Sequence, residues 1–198
     1  DGVFAYEGHD QASPLLSALF HDEPTIEAFN LIGLDFNAVG NHEFDEGYEE
    51  LLRMQKGGCH PVDGCLDGDN FAGADFKYLA ANVTEKATGR TIFPAWAMES
   101  FKNVKVAIIG MTLEGTPSIV TPSGISMLDF HDEADTVNAL IPEIKKRGIE
   151  TIVVLIHEGG LPTGGYNACP GISGPIVDIV NRLDDEVDVV ISGHTHQA

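Results

Sequence analysis

The stretch "FNAVGNHEFDEG", residues 36–47, passes directly from a short apolar segment into a turn crowded with polar side chains. Within six residues, from Gly40 to Asp45, it places an amide, an imidazole and two carboxylates. The residues at 34–39 alternate well enough to predict a strand, and a helical pattern follows at 47–58. Taken alone, the turn also fits an ordinary connection between a strand and a helix, with Asn and Asp as capping residues.

Two further turns that contain histidine also follow predicted strands. The turn "HEGG" comes after the apolar segment 151–156, and "GHTH" comes after 187–192. Because the loops that leave parallel strands converge at one edge of an α/β sheet, we expect the three turns to meet there. A lone histidine such as His157 more often makes a hydrogen bond in a loop than a metal bond. The two histidines of "GHTH" have the spacing to project in similar directions from an extended segment, which favours ligands.

Helical and strand patterns alternate along the chain, which predicts an α/β domain with a largely parallel core sheet. At 198 residues, of which 43% are hydrophobic, the chain is long enough for one substantial core. The predicted helices cover 13–20, 25–33, 47–58, 131–149 (with a kink at Pro142) and 174–187, and the predicted strands cover 34–39, 78–83, 104–112, 151–156 and 187–192.

The charge balance restricts the classes of partner. The chain has 31 acidic and 11 basic residues, a net charge of -20, and therefore repels nucleic acid and anionic lipid. We expect no nucleic-acid partner, and no apolar run is long enough to predict a membrane span. A small phosphorylated substrate could bind only if bound cations supplied the missing positive charge. The composition thus points to a metal site.

The side-chain types in the three turns indicate which metal chemistry to expect. Imidazole with amide and carboxylate oxygen, and without thiolate, suits Zn, Mn, Fe, Co or Ni. Two such divalent ions about 3.5–4 Å apart would polarise a phosphoryl group and hold a bridging hydroxide for in-line attack. His42, next to Asn41, could then contact the phosphoryl oxygen or protonate the leaving alkoxide, and Asp45 could bond its other ring nitrogen.

The cysteines suggest an oxidising compartment. Cys59 and Cys65 lie six residues apart in a loop of Gly, Pro and Asp, a pattern that favours a local disulfide over a zinc site, with free surface thiols as the alternative. Such a bridge would contribute about 2–3 kcal/mol and would imply export from the cytoplasm. Cys169 is left odd. The remaining histidines, at 9, 21, 60 and 131, are expected to be surface or capping residues.

The motifs "GNHEFD" and "GHTH" resemble those of the calcineurin-like metallophosphoesterases, and residues 12–47 are similar to bacterial secreted 5'-nucleotidases of the bifunctional kind. The resemblance implies a four-layer α/β/β/α fold with two facing mixed sheets around a dinuclear metal centre, in place of the single sheet. It also implies roles for six residues: Asn41, His157 and His194 would bind one metal, His196 would bind the other, and His42 with Asp45 would form the catalytic dyad.

The resemblance implies an activity as well. Enzymes of this group hydrolyse nucleoside 5'-monophosphates, so we expect a metal-dependent phosphomonoester hydrolase in which metal-bound hydroxide removes the 5'-phosphate. The alternatives are hydrolysis of UDP-sugar pyrophosphates or of 2',3'-cyclic nucleotide phosphodiesters, and a noncatalytic metal-binding fragment. A secreted or cell-envelope location follows from the same resemblance.

The chain departs from the family pattern near its start. The family opens with an Asp-x-His strand that has no counterpart here, and Gly8 stands where a metal-bridging Asp is expected, with Asp10 or Glu7 as possible substitutes. We therefore expect residues 1–198 to be a truncated catalytic domain that lacks the C-terminal nucleotide-binding domain. On the same resemblance, the disulfide partner of Cys169 would lie beyond Ala198.

Overall fold

The computed structural model describes residues 5–7, 15–165, 168 and 170–196, with only the backbone at 5–7. The described strands are β1 (Ala5–Glu7), β2 (Phe36–Ala38), β3 (Lys77–Leu79), β4 (Val83–Glu85), β5 (Trp96–Phe101), β6 (Val104–Met111), β7 (Leu128–Phe130), β8 (Thr151–Ile156) and β9 (Val189–Ser192). The described helices are α1 (Leu15–Ala18), α2 (Glu23–Ile32), α3 (Tyr48–Lys56), α4 (Glu133–Lys146) and α5 (Pro175–Arg182).

The strands form two main sheets and a small ribbon. The first sheet has the order β1-β2-β3 and is parallel throughout. The second has the order β5-β6-β8-β9, in which β5 is antiparallel to β6 and the other pairs are parallel. Strands β4 and β7 pair as an antiparallel ribbon. The single sheet predicted from the alternation of elements is therefore wrong, because that alternation does not determine which strands pair, and the two-sheet fold is confirmed.

The two sheets pack face to face through a small apolar cluster. Phe36 and Leu79 of the first sheet contact Ile108 and Leu155 of the second in this cluster. The sheets approach closely at Gly110, where an added Cβ would lie 2.4 Å from the Cβ of Leu79. A glycine is therefore required at this point of the β6 strand, because any side chain would push the sheets apart.

Helices cover the outer face of each sheet, which completes four layers. Tyr78, the neighbour of Leu79 on β3, points to the opposite face and packs with Ile26 of α2 and Leu51 of α3. On the second sheet, Ile152 packs with a cluster that includes residues of α4 and α5. The layers are thus helix, sheet, sheet and helix, as the resemblance implies.

Local sequence signals explain where several elements end. Helix α2 ends at Gly33, whose φ of 82° is left-handed and whose N–H donates to the carbonyls of Phe29 and Asn30. The strand predicted at 78–83 is wrong as a single element. It divides because Ala81, between β3 and β4, donates its N–H to the carbonyl of Gly110 on the second sheet.

A disulfide joins Cys59 and Cys65, which confirms the local pairing. The predicted partner of Cys169 and the helix start at Ser13 and Pro14 involve residues outside those that the structure describes. Among the described helices, none combines the length and the apolar character needed to cross a bilayer.

Candidate metal centre

Three turns that follow strands of both sheets bring their polar side chains together. Asn41 comes shortly after β2, His157 directly after β8, and His194 shortly after β9. The Oδ1 of Asn41 lies 2.9 Å from the Nε2 of His157. The Nδ1 of His194 lies 3.2 Å from that same Nε2. Residues far apart in the sequence therefore place the amide oxygen of Asn41 and a ring nitrogen of His194 each beside the Nε2 of His157.

The spacing of these donor atoms fits a shared divalent ion. Ligands at about 2.1 Å from a metal lie roughly 3.0–3.4 Å from each other at octahedral or tetrahedral angles. His157 is fully buried and Asn41 is 3% exposed, so their polar atoms face the interior of the protein. Two imidazoles and an amide oxygen are ligands that Zn, Mn, Fe, Co and Ni accept. The residues present thus fit one metal ion of this group.

Two glycines allow the turns to approach each other. A Cβ on Gly40 would lie 2.8 Å from the Nδ1 of His157, too close for any side chain. A Cβ on Gly159 would lie 2.1 Å from the carbonyl oxygen of Gly193. The hydroxyl of Thr195 also donates to the carbonyl of Gly160 across 2.8 Å. Gly40 and Gly159 therefore determine how closely the three turns pack.

His42 and Asp45 form a pair on the first turn. The Nδ1 of His42 lies 2.7 Å from the Oδ2 of Asp45, and the two side chains are 37% and 42% exposed. The short helical turn His42–Phe44 sets this i to i+3 spacing. The pair is thus preformed and open to solvent, next in sequence to the buried Asn41.

The "GHTH" turn differs from the extended segment expected from the sequence. Residues 194 and 195 form a bend, and His194 and His196 have left-handed backbones with φ of 69° and 55°. The expectation of an extended segment is wrong, because the turn doubles back onto Gly159 and Gly160. His194 joins the cluster with His157, whereas His196 is exposed at the end of the described chain. Its role as a ligand of a second metal stays a prediction.

The structure adds two buried carboxylates that sequence reasoning did not single out. Glu43 is fully buried, and its Oε2 accepts a hydrogen bond from the Gly40 N–H at 2.5 Å, which closes the turn that carries Asn41. Glu158 is 6% exposed, and burial raises the pKa of its carboxyl group. The i to i+3 spacing of Gly40 and Glu43 is the sequence signal that could have identified the first.

The residues considered for the bridging position lie at the start of the chain. Gly8 and Asp10 are outside the described residues. The backbone of Glu7 ends β1 and pairs in register with Ala38 at the end of β2. Position 7 therefore lies at the same sheet edge as the metal centre.

Comparisons with known proteins identify relatives of this chain. Endonuclease YhcR of Bacillus subtilis is 39% identical over 186 residues, which cover 94% of this chain and 14% of that protein. The 5'-nucleotidase of Vibrio cholerae is 29% identical over 178 residues, which cover 88% of this chain and 29% of the relative. The crystal structure of a 5'-nucleotidase precursor from Thermus thermophilus superposes with a TM-score of 0.70 over 98% of this chain and 32% of that one, at 24% identity.

The chain spans less than a third of each of these three proteins. The structural likeness, at 24% identity, shows the fold alone. The profile of the calcineurin-like phosphoesterases matches residues 22–198, a range that contains all three turns of the metal centre. The chain therefore belongs to the calcineurin-like phosphoesterase family.

Proposed function

We propose that this chain carries the catalytic centre of a metal-dependent phosphomonoester hydrolase that removes the 5'-phosphate from nucleoside monophosphates. The convergence of Asn41, His157 and His194 at distances of 2.9 Å and 3.2 Å is the observation that supports it most strongly. The curated 5'-nucleotidase of Vibrio cholerae, 29% identical, supports the nucleotide as substrate.

The proposed roles follow the positions of the side chains. Asn41, His157 and His194 would hold one divalent ion, and His196 would contribute to a second. When bound, such ions polarise a phosphoryl group and lower the pKa of water to near neutrality. With 31 acidic and 11 basic residues in the chain, cations at this edge also supply the positive charge that a phosphate needs.

His42 would act on the substrate itself. Asp45 accepts a hydrogen bond from the Nδ1–H of His42 at 2.7 Å, so Nε2 is the ring nitrogen placed to meet the phosphoryl oxygen or to give a proton to the leaving alkoxide. The two residues therefore act as a unit that orients one imidazole.

The same proposal extends to partners and location. We propose a small nucleotide rather than a polynucleotide as substrate, although one relative is named an endonuclease, because a net charge of -20 repels the phosphates of a long nucleic acid. The Cys59–Cys65 disulfide supports a location outside the reducing cytoplasm, in the cell envelope or secreted.

A substrate panel with metal removal tests the proposal. The intact protein would be stripped with EDTA, supplied in turn with Mn²⁺, Co²⁺ or Zn²⁺, and assayed for products from AMP, UDP-glucose, 2',3'-cyclic AMP and single-stranded DNA. We expect phosphate release from AMP that EDTA abolishes and added metal restores. His194→Ala should reduce this rate at least 100-fold, whereas His131→Ala, which alters a histidine bonded to Thr84, should not.

The other outcomes would replace the proposal by a specific alternative. Preference for UDP-glucose or the cyclic nucleotide would make the chain a pyrophosphate or phosphodiester hydrolase. Cleavage of DNA would overturn the small-substrate proposal. No product from any of the four, together with one bound ion per chain, would identify a noncatalytic metal-binding module.

A further inference from the structure

A second cluster of imidazoles and carboxylates lies outside the metal centre. It consists of His21, between α1 and α2, Glu46, directly after Asp45, and His60 and Asp63 in the loop closed by the disulfide. One ligand atom from each of His21, Glu46 and His60 lies within 4.8 Å of the other two. Three separate segments of the chain therefore meet here.

The contacts in this cluster centre on His21. Its Nδ1 lies 3.1 Å from the Oε2 of Glu46, and its Nε2 lies 3.0 Å from the Oδ2 of Asp63. The ring of His60 stacks on it, with ring centroids 3.9 Å apart and planes inclined by 13°. His60 in turn has its Nδ1 3.3 Å from the same oxygen of Asp63.

The cluster is held in place by its surroundings. The side chains of His21 and His60 are each only 16% exposed. The disulfide fixes the loop that carries His60 and Asp63. On the other side, His21 and Asp22 both have left-handed backbones, with φ of 52° and 58°, a conformation that costs about 1–2 kcal/mol per residue. The structure therefore retains a strained backbone at the point where the His21 ring is placed.

The charges of the cluster favour a cation. Burial acts to lower the pKa of His21, but the hydrogen bond and the charge of Glu46, together with Asp63, raise it above its ordinary value. Glu50 acts on the ring in the same direction. The carboxylates of Glu46, Asp63 and Glu50 therefore surround the imidazoles with negative charge. A divalent ion would neutralise them while using the imidazoles as neutral ligands.

We propose that His21, His60 and Glu46 bind a zinc ion at a site separate from the phosphoesterase metal centre. Two imidazoles and one carboxylate form a recognised zinc ligand set, with a water molecule as the usual fourth ligand. Asp63, bonded to the Nε2 of His21, matches the carboxylate that commonly orients a zinc-bound histidine through its other ring nitrogen. The three ligand atoms lie within 4.8 Å of each other, and zinc binding would bring them to about 3.4 Å.

The site would stabilise the turn that carries the catalytic dyad. Glu46 is the residue after Asp45, so an ion bound to Glu46, His21 and His60 links the end of this turn to the α1–α2 connection and to the disulfide loop. A zinc ion there contributes through the geometry of the fold and takes no part in the reaction of the substrate.

Counting zinc per chain tests the proposal independently of any activity. The intact protein would be stripped of metal, incubated with excess ZnCl2, freed of unbound ion by gel filtration and analysed by mass spectrometry. We expect His60→Ala and His21→Ala each to lose one equivalent relative to the parent. His131→Ala, the matched histidine control, should lose none. A parental zinc content in both His60→Ala and His21→Ala would overturn the proposal.

A second background separates this site from the phosphoesterase centre. In His194→Ala/His196→Ala, which alters the other centre, one zinc equivalent should remain, and adding His60→Gln should remove it. Circular dichroism would establish that each variant is folded, and Glu46→Gln, which keeps the shape of the side chain, should weaken zinc binding at least 10-fold. Retention of the ion in the His60→Gln triple variant would refute the site, whereas failure of AMP hydrolysis would bear only on the proposed function.

Discussion

The side-chain oxygen of Asn41 lies 2.9 Å from the Nε2 of His157, although the two residues are 116 positions apart in the chain. Asn41 follows a strand of the first sheet, and His157 follows a strand of the second. The candidate metal centre is therefore built across the seam between the sheets. Whatever changes the packing of the two sheets also changes the distance between these ligands.

Replacing His42 by Ala should reduce turnover without removing metal. General acid–base catalysis by a positioned histidine typically contributes about 10²–10⁴-fold, so kcat should fall by that amount. The Nδ1 of His42 is bonded to Asp45, and His42 is not one of the proposed ligands, so the metal content should stay at the parental value. Steady-state kinetics with AMP and elemental analysis of the same preparations measure both quantities.

Asp45→Asn is the matched variant for this dyad. It keeps the shape of the side chain, and its amide oxygen can still accept a hydrogen bond from the Nδ1–H of His42, so it should reduce kcat less than His42→Ala does. A parallel loss of metal and activity in His42→Ala would show that His42 is a ligand, contrary to the proposed role.

Gly40→Ala should destabilise the protein and weaken metal binding together. The added Cβ would lie 2.8 Å from both the Oε2 of Glu43 and the Nδ1 of His157, and the His157 ring is fully buried. Overpacking of this kind costs about 1–3 kcal/mol. Urea denaturation would measure the free energy of unfolding, and competition with a chromophoric chelator would measure metal affinity.

Gly165→Ala is the control for that substitution. Among the residues that the structure describes, no heavy atom lies within 4 Å of the position that its Cβ would take, so its free energy of unfolding should change by less than about 0.5 kcal/mol. Equal behaviour of the two variants would mean that the turn at Gly40 is looser than the structure indicates.

The sequence predicts the buried central strands of the second sheet best. The apolar run at Thr151–Ile156 forms β8 with the predicted bounds, because a continuous apolar segment of six residues can be buried on both faces only in a central strand. Strand β5, Trp96–Phe101, was not predicted, since it contains Glu99 and Ser100 and lies at the edge of its sheet. Pairing of strands into two sheets depends on contacts between distant residues, which local periodicity does not contain.

The two candidate sites also differ in how far the sequence reveals them. The turns "GNHEFD" and "GHTH" could be singled out because each packs several polar side chains into a few residues after a strand. His21 and His60 were expected to be surface or capping residues, because each stands alone in its segment. Only the loop closed by the Cys59–Cys65 disulfide brings His60 onto the His21 ring. A cluster assembled from single residues leaves no pattern that sequence spacing could reveal.

Arg53→Met should be strongly destabilising. The guanidinium of Arg53 binds Glu23 of α2 at 2.5 Å and Glu50 of α3 at 2.6 Å, and all three side chains are no more than 8% exposed. Removing the cation leaves two buried carboxylates without a partner, which costs about 3–5 kcal/mol. Thermal and urea denaturation would measure the loss.

Two further variants identify the cause of this loss. Arg90→Met, at an exposed position, should change the free energy of unfolding by less than about 0.5 kcal/mol. Glu23→Gln/Glu50→Gln added to Arg53→Met should restore much of the lost stability, because it removes the unpaired charges. No recovery in the triple variant would assign the loss to packing of the arginine stem instead.

Asp132 should contribute to stability in two separable ways. Its Oδ1 accepts the N–H of Asp135 at 2.8 Å as the N-cap of α4, and its carboxylate binds Arg182 of α5 at 2.7 Å. The bond with Arg182 lowers the pKa of Asp132 below its ordinary value of 3.8. Asp132→Asn keeps a capping side chain and loses the ion pair, worth about 0.2–1 kcal/mol, whereas Asp132→Ala loses both and should cost about 1 kcal/mol more.

The pH dependence of these two variants distinguishes the cap from the ion pair. Because the folded-state pKa of Asp132 is depressed, the stability from the ion pair is fully present above pH 3.8 and is lost as pH falls through the folded-state value. The difference in free energy of unfolding between the parent and Asp132→Asn should therefore shrink in urea titrations from pH 7 to pH 3. The difference between Asp132→Asn and Asp132→Ala, which reflects the cap, should persist. A constant gap between the parent and Asp132→Asn at both pH values would show that Arg182 contributes nothing through charge, and that Asp132 stabilises the junction of α4 and α5 through its hydrogen bonds alone.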